Sequence, residues 1–122
     1  RLSALEELDL NGCSRLTSSA LGKAIERLEK LERLDVSYCP GILRSSWQGK
    51  IENLRTLELC YSAARDTHIY RLRSLPALEE LNLDSCPIGD SAIGHLADNN
   101  VLPNLTSLDL ADTELTDLGM AH

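Results

Sequence analysis

Basic side chains are scarce in this sequence relative to acidic ones, with 12 Lys and Arg residues against 19 Asp and Glu residues and a net charge of −7. Nucleic-acid backbones are polyanions that require a basic protein surface, so this balance argues against a nucleic-acid partner. No apolar run approaches the ~20 residues of a membrane span, and the first residues lack the basic and apolar segments of a secretory signal. We therefore expect no membrane partner.

Recognisable catalytic and cofactor motifs are also absent. The sequence contains no Gly-rich phosphate loop, no H-E-x-x-H metal motif, no G-x-S-x-G nucleophile and no C-x-x-C pair. We therefore predict that the chain is not an enzyme and binds no cofactor or metal. Its first residue is Arg1 and its only methionine is Met120, so we expect flanking regions that are missing from this sequence.

Leucine, by contrast, is abundant and supplies 25 of the 122 residues. Aliphatic residues recur in five sets with the pattern L-x-x-L-x-x-L-x-L, and successive sets start 26, 23, 24 and 27 residues apart. Such a period predicts one structural unit per repeat, stacked around a continuous core. All twenty pattern positions are aliphatic: Leu2, Leu5, Leu8, Leu10, Leu28, Leu31, Leu34, Val36, Ile51, Leu54, Leu57, Leu59, Leu75, Leu78, Leu81, Leu83, Leu102, Leu105, Leu108 and Leu110.

Each repeat contains an x-L-x-L-x stretch in which inward leucines alternate with outward residues, as in a half-buried strand. Stacked repeats place these strands side by side in a parallel sheet, and the roughly fifteen remaining residues of each repeat supply the crossover that parallel strands require. Asp66, Asp90 and Asp117 stand where crossovers begin, and we predict that they cap helices. The predicted strands lie near residues 7–11, 33–37, 56–60, 80–84 and 107–111.

This pattern resembles the leucine-rich repeat family along the whole chain. The resemblance implies an α/β fold: a right-handed solenoid, or horseshoe arc, with a concave parallel β-sheet and convex helices. Residues 1–122 would form a single domain fragment without the polar caps that close such a solenoid at both ends. The five repeats would start near residues 2, 28, 51, 75 and 102.

Three cysteines occupy one repeat position at the turn after the strand, namely Cys13, Cys39 and Cys86. Ser62 and Thr113 fill the same position in the other repeats, so the shared property is a small side chain. We predict that these side chains are buried beneath the strand, where a weak donor satisfies a main-chain carbonyl, and that the thiols are reduced.

These cysteines, together with the phrase at residues 88–96, are similar to the cysteine-containing subclass of leucine-rich repeats found in F-box substrate adaptors of ubiquitin ligases. The resemblance implies a role as a ubiquitin-ligase adaptor. Reduced thiols favour an intracellular location, either cytoplasmic or nuclear. Cys60 differs from the other three because it takes an outward strand position, where we expect it to be accessible and to react fastest.

Most of the net charge falls on the outward strand positions. Seven of these fifteen residues are acidic and one is basic, so they carry −6 of the total −7. We call these eight charged residues the strand face: Glu7, Asp9, Arg33, Asp35, Glu58, Glu80, Asp84 and Asp109. Just beyond the strands, Tyr38 and Tyr61 share one position in adjacent repeats, where rigid aromatic side chains are suitable anchors for a partner. We predict that Tyr38, Tyr61 and the strand face form the partner-binding site.

The leading hypothesis is a non-enzymatic protein-interaction module that binds a basic protein or peptide on this acidic concave face. Two alternatives remain open. The chain could be the ligand-sensing region of an immune or signalling receptor, or a structural spacer that only positions flanking domains. Solvated carboxylates that bind nothing are compatible with the spacer, because exposed charges cost little in water.

Overall fold

Five short parallel strands form one open sheet in the computed structural model of the chain. The structure describes residues 4–13, 15, 17, 20–21, 23, 28–39, 52–62, 75–96, 102–114 and 116. No helix among these residues is long and apolar enough to cross a membrane. The strands are β1 (Glu7–Asp9), β2 (Arg33–Asp35), β3 (Thr56–Glu58), β4 (Glu80–Asn82) and β5 (Ser107–Asp109), and helix α1 (Asp90–Leu96) lies between β4 and β5.

The strands follow one another across the sheet in chain order, and every neighbouring pair is parallel. The central leucines are in register, from Leu8 through Leu34, Leu57 and Leu81 to Leu108. This order and direction confirm the predicted sheet. The strands are shorter than the five-residue stretches of the prediction because a turn begins three residues after each central leucine.

The core consists of the aliphatic columns that the repeat predicts. Leu34 and Leu57 are both 0% exposed and Leu81 is 2% exposed, because each has a repeat on either side. The remaining described pattern residues are buried in this core or packed against it, with one exception. Leu108 is 36% exposed, so the prediction that it is buried is wrong: within the described part of the sheet, β5 has a neighbouring strand on one side only. Leu2 and Ile51 lie outside the described residues.

Helix α1 presents Ala92, Ile93 and Leu96 to the core. Asp90 is its first residue, as predicted for a helix start. The Asp90 carboxylate accepts hydrogen bonds from the main-chain amide of Thr116, at 2.9 Å, and from the Thr116 hydroxyl, so it also links one repeat to the next. The other two predicted caps, Asp66 and Asp117, lie outside the described residues.

Candidate functional site

The same left-handed turn follows every strand and sets the position of the side chains beyond it. The turn column, as we call the residues with positive φ in these turns, consists of Gly12 (φ 81°), Tyr38 (59°), Tyr61 (53°), Ser85 (58°) and Asp112 (52°). The first four donate their amides to a carbonyl of the following repeat, each at 2.9 Å. Repeats are therefore in register at the turn as well as in the strands. Non-glycine residues rarely adopt this backbone conformation, so the hydrogen-bonded stack holds them there.

The last residue of a strand starts this turn in four of the five repeats. Asp9, Asp35, Asn82 and Asp109 each accept, through Oδ1, the main-chain amide two residues further on, at 2.9 to 3.0 Å. Short Asp and Asn side chains make this bond readily and so favour turns. Three predicted partner-binding carboxylates therefore also stabilise their own turns. Sequence reasoning missed this role, although an Asp or Asn three residues before four of the five left-handed residues was the available signal.

Glu58 replaces the short side chain in the third repeat and makes different contacts. It lies opposite Asp35 in the register of β2 and β3, and Oε2 of Glu58 accepts from Nη2 of Arg33 at 3.0 Å. Burial raises the pKa of Glu58, and its hydrogen bond with Asp35 raises that pKa further, while Arg33 opposes the rise. Burial also acts to raise the pKa of Asp35, but hydrogen bonds from the amide and hydroxyl of Ser37 and from Glu58 outweigh it and lower that pKa. As the pH falls, Glu58 is therefore protonated before Asp35.

Tyr38 and Tyr61 form a stacked pair at the edge of the sheet where the strands end. Their ring centroids lie 4.7 Å apart with an angle of 13° between the planes. The two side chains are 49% and 52% exposed, so the stack presents a wide aromatic surface to solvent. Burial, and after it Tyr61, Cys60 and Asp84, raise the pKa of the Tyr38 hydroxyl.

A shallow groove of about 170 Å³ runs across β3, β4 and β5 on the strand face. It brings together three predicted site residues, Glu58, Glu80 and Asp109. Leu57 and Leu81 also line the groove, but their side chains are buried in the core. The other lining residues are Thr56, Asn82 and Ser107, and the Thr56 hydroxyl donates to Oε2 of Glu80 at 3.3 Å.

The remaining predicted site residues lie around this groove. Arg33 and Asp35 are on β2, beside Glu58, and Asp84 follows β4 at the edge that carries the tyrosine pair. Glu7 and Asp9 are exposed on β1, two strands away from β3. The site is therefore one continuous sheet surface rather than a single pocket.

A second surface, one residue before the strands, was not predicted. Nε of Arg55 lies 3.5 Å from Oε1 of Glu32 and 3.4 Å from Oε2 of Glu79, so a cation joins carboxylates of the repeats on either side. A groove of about 260 Å³ opens here, lined by both signs of charge through Glu6, Lys30, Glu32 and Arg55. The sequence signal was an alternation of Glu, Arg and Glu at one position in successive repeats.

The cysteine prediction is confirmed for two of the three equivalent residues. Cys39 and Cys86 are buried, and their thiols donate to carbonyls of the preceding repeat, Leu10 at 3.1 Å and Leu59 at 2.9 Å. Cys13 is exposed, so the prediction for this residue is wrong. It belongs to the repeat of β1, and among the described residues no strand lies on the outer side of β1 to supply the carbonyl and the cover. All four cysteines are free thiols.

Cys60 is half-buried rather than freely accessible. Its main-chain amide donates to the Ser37 hydroxyl at 3.0 Å. Burial raises the pKa of the Cys60 thiol, and the nearby carboxylates of Asp84 and Glu58 add to the rise, while Ser37 opposes it. A raised pKa reduces the thiolate population, so the structure favours Cys13, which is exposed, over Cys60 as the thiol that should react fastest. Within the described ranges, no group of three His, Cys, Asp or Glu residues is arranged to hold a metal ion.

Comparison with known proteins agrees with this geometry. Residues 74–97 and 101–121 match the family model described as Leucine Rich repeat. The chain folds as a leucine-rich-repeat solenoid. The predicted fold class is thereby confirmed, and no curated protein matches the solenoid in sequence.

Two solved structures share the fold. The tropomodulin C-terminal domain from Caenorhabditis elegans is 14% identical with a TM-score of 0.52, and the match covers 91% of this solenoid and 57% of that chain. Leiomodin-1 Actin-Binding Site 2 is 16% identical with a TM-score of 0.53, and the match covers 98% of this solenoid and 61% of that chain. The solenoid thus spans less than two thirds of these structures, and at such identities the likeness concerns the fold alone.

Proposed function

We propose that this solenoid is a non-enzymatic protein-interaction module that binds a basic protein or peptide on its strand face. The observation that carries the proposal is an uncompensated row of carboxylates. The strand face has seven acids and one base, and that base, Arg33, is paired with Glu58. Among the residues that the structure describes, no other ion pair reaches this face. Carboxylates held at neighbouring strand positions repel one another until a cation lies between them.

The groove on this face supports a basic partner in particular. Glu58, Glu80 and Asp109 line it with three carboxylates. Lys and Arg head groups donate charge-assisted hydrogen bonds to carboxylates, so a cationic side chain lying in the groove is matched by several acceptors. The charge on the face also increases the association rate of a basic partner in a salt-dependent manner.

A finer proposal is that the module recognises substrates for a ubiquitin ligase inside the cell. The support is the thiol arrangement, since Cys39 and Cys86 repeat one contact to the carbonyl of the preceding repeat. The test is to express the protein with its native flanks and to ask whether ubiquitylation of a captured basic partner requires an intact strand face. Unchanged ubiquitylation after loss of the face contradicts the adaptor role.

The name of one structural neighbour describes an actin-binding site, which agrees with protein binding by such a fold and supports nothing finer for this chain. A receptor's ligand-sensing region and a structural spacer remain the competing functions. A spacer makes a distinct prediction: charge changes on the strand face leave every binding measurement unchanged.

The direct test uses a twelve-residue peptide of alternating lysine and glycine, with binding measured by calorimetry at low and physiological salt. The test variant combines Asp35→Asn, Glu58→Gln and Asp84→Asn, which preserves shape and removes three charges. At about 0.5 kcal/mol for each exposed charge, affinity falls by roughly tenfold, and binding by the unmodified chain weakens as salt is added.

The matched control removes the same charge elsewhere. Glu29, Glu52 and Glu114 are exposed and lie off the strand face, so changing all three to Gln is an equal change in net charge. We expect this control to alter affinity by less than about twofold. Equal weakening by both triple variants would attribute binding to net charge alone and contradict a site on the strand face.

A further inference from the structure

The turn column carries a side chain in four repeats and none in the first. Tyr38 is stacked on Tyr61 through one ring face. On the other side of Tyr38, the equivalent position is occupied by Gly12, whose amide donates to the carbonyl of Ser37 at 2.9 Å. Among the residues that the structure describes, none beyond Gly12 and its chain neighbours has an atom within 4 Å of a Cβ atom added at Gly12. The outer face of the Tyr38 ring therefore borders an open position in the column.

The spacing of the column suits stacked planar groups. The tyrosine centroids are 4.7 Å apart, close to the ~4.8 Å that separates neighbouring strands. A planar group placed above Gly12 would consequently lie on Tyr38 much as Tyr38 lies on Tyr61. The tyrosine pair is a rigid platform for it, because the main chain at Tyr38 and Tyr61 is fixed by hydrogen bonds to Cys60 and Asp84 of the following repeats.

The charge around this position selects among planar groups. Asp9 and Asp35 end the two strands that lead to Gly12 and Tyr38, and each uses Oδ1 for its own turn. The second carboxylate oxygen of Asp9 is available to an incoming donor, whereas the Asp35 carboxylate also takes part in hydrogen bonds with Ser37 and Glu58 and contributes mainly its charge. Arginine combines a planar guanidinium that stacks on aromatic rings with a fixed set of donors that match carboxylates, whereas lysine offers only a point charge.

We propose that the open position above Gly12, bordered by the exposed face of Tyr38, binds an arginine side chain of the basic partner, with the Asp9 carboxylate at the end of β1 as its acceptor and the charge of Asp35 at the end of β2 adding to the attraction. This inference rests on the proposed function and specifies it further. It predicts that one end of the strand face prefers arginine, whereas the rest of the face binds any cationic side chain. It also assigns the tyrosine pair a stacking role, which attraction between charges alone does not require.

Three peptides test the assignment: twelve-residue alternating sequences of glycine with arginine, with lysine, or with citrulline. Citrulline has the planar shape of arginine without its charge. We expect the arginine peptide to bind about fivefold more tightly than the lysine peptide, and more than tenfold more tightly than the citrulline peptide. In NMR spectra, the arginine peptide should shift the ring protons of Tyr38 and the amide of Gly12.

Gly12→Tyr is the decisive variant because it fills the open position with a ring of this chain. A side chain strains the backbone at the φ of 81° that Gly12 has, but the four non-glycine residues of the column show that the same turn forms with φ between 52° and 59°. We expect the arginine-to-lysine ratio of affinities to fall to about one, while lysine-peptide binding is retained. Ser85→Tyr is the matched control, because it adds the same ring at the opposite end of the pair, beside Tyr61, and should preserve the ratio.

Tyr38→Ala provides a second test that does not depend on how Gly12→Tyr folds. It removes the ring against which the guanidinium stacks and should also reduce the ratio to about one. Salt-dependent lysine-peptide binding without any arginine preference overturns this inference and leaves the proposed function intact. Failure of both cationic peptides to bind overturns both. Equal binding of citrulline and arginine peptides overturns the assignment to arginine.

Discussion

The middle repeats and the outer repeats have the same sequence pattern but different surroundings. Leu57, in the middle strand, is 0% exposed, whereas Leu108, at the equivalent position of β5, is 36% exposed. The thiols show the same contrast, since Cys39 and Cys86 are buried and Cys13 is exposed. In a solenoid each repeat contacts only its neighbours, so the place in the stack determines burial as strongly as the residue type does.

The largest expected difference between these regions concerns the core leucines. Leu57→Ala removes a fully buried side chain with repeats on both sides and should lower the free energy of unfolding by about 3 kcal/mol. Leu108→Ala removes a side chain that is already partly in water and should cost less than about 1 kcal/mol. Urea denaturation of both variants measures the difference. Equal losses would mean that the outer strand is as well covered as the middle one.

A smaller difference is expected for the cysteine position. Cys86→Ala leaves the carbonyl of Leu59 without the thiol that donates to it at 2.9 Å, and should destabilise the fold by about 1 to 2 kcal/mol. Cys13→Ala changes an exposed side chain and should be within about 0.5 kcal/mol of the unmodified chain. The same denaturation experiment measures both changes, and a larger loss for Cys13→Ala would refute the neighbour-dependent role of the thiol.

Alkylation kinetics sharpen the same contrast in the native state. Cys13 should react first because it is exposed, and Cys60 should follow more slowly because it is half-buried and its pKa is raised. Cys39 and Cys86 should be the slowest, because burial blocks access and also raises the pKa of Cys39. Mass spectrometry of peptides after timed labelling gives the order. Rapid labelling of Cys86 in the folded chain would contradict the burial of this position.

The smallest expected effect is the pH dependence of the Asp35–Glu58 contact. Because the pKa of Glu58 is raised on folding, its contribution to stability is present below its unfolded pKa and is lost as pH rises through the folded pKa. The pKa of Asp35 is lowered, so its contribution is present above its unfolded pKa and is lost as pH falls through the folded pKa. NMR titration of the side-chain carboxyl carbons should give Glu58 the higher pKa. The reverse order would disprove the contact. So would a pKa of Asp35 that is the same in the Glu58→Gln variant as in the unmodified chain.

The sequence predicted the fold well because the repeat is a property of the core. One aliphatic period determines strand position, direction and register together, which is why Leu34, Leu57 and Leu81 lie where they were expected. The exposure of Leu108 and Cys13 was missed, because burial depends on which neighbours are present and not on the residue itself.

The candidate site was predictable at the level of residues but not of contacts. That Tyr38 and Tyr61 share a column followed from their spacing, whereas their face-to-face stacking depends on side-chain conformations. The pairing of Arg33 with Glu58 is a diagonal contact between strands, which a one-dimensional pattern does not specify. The role of Asp35 in its turn could have been predicted, since Asp side chains in turns commonly accept the main-chain amide two residues further on.

The most direct test of the central claim is an NMR map of the lysine–glycine peptide bound to the isotopically labelled chain. If the strand face is the binding site, amide shifts should concentrate at Asp35, Glu58 and Asp84 and diminish as salt is added. The amides of Glu29 and Glu52, which are exposed away from the strands, should not move. Shifts spread evenly over both sets, or confined to the second, would contradict the claim that this solenoid binds basic partners on its strand face.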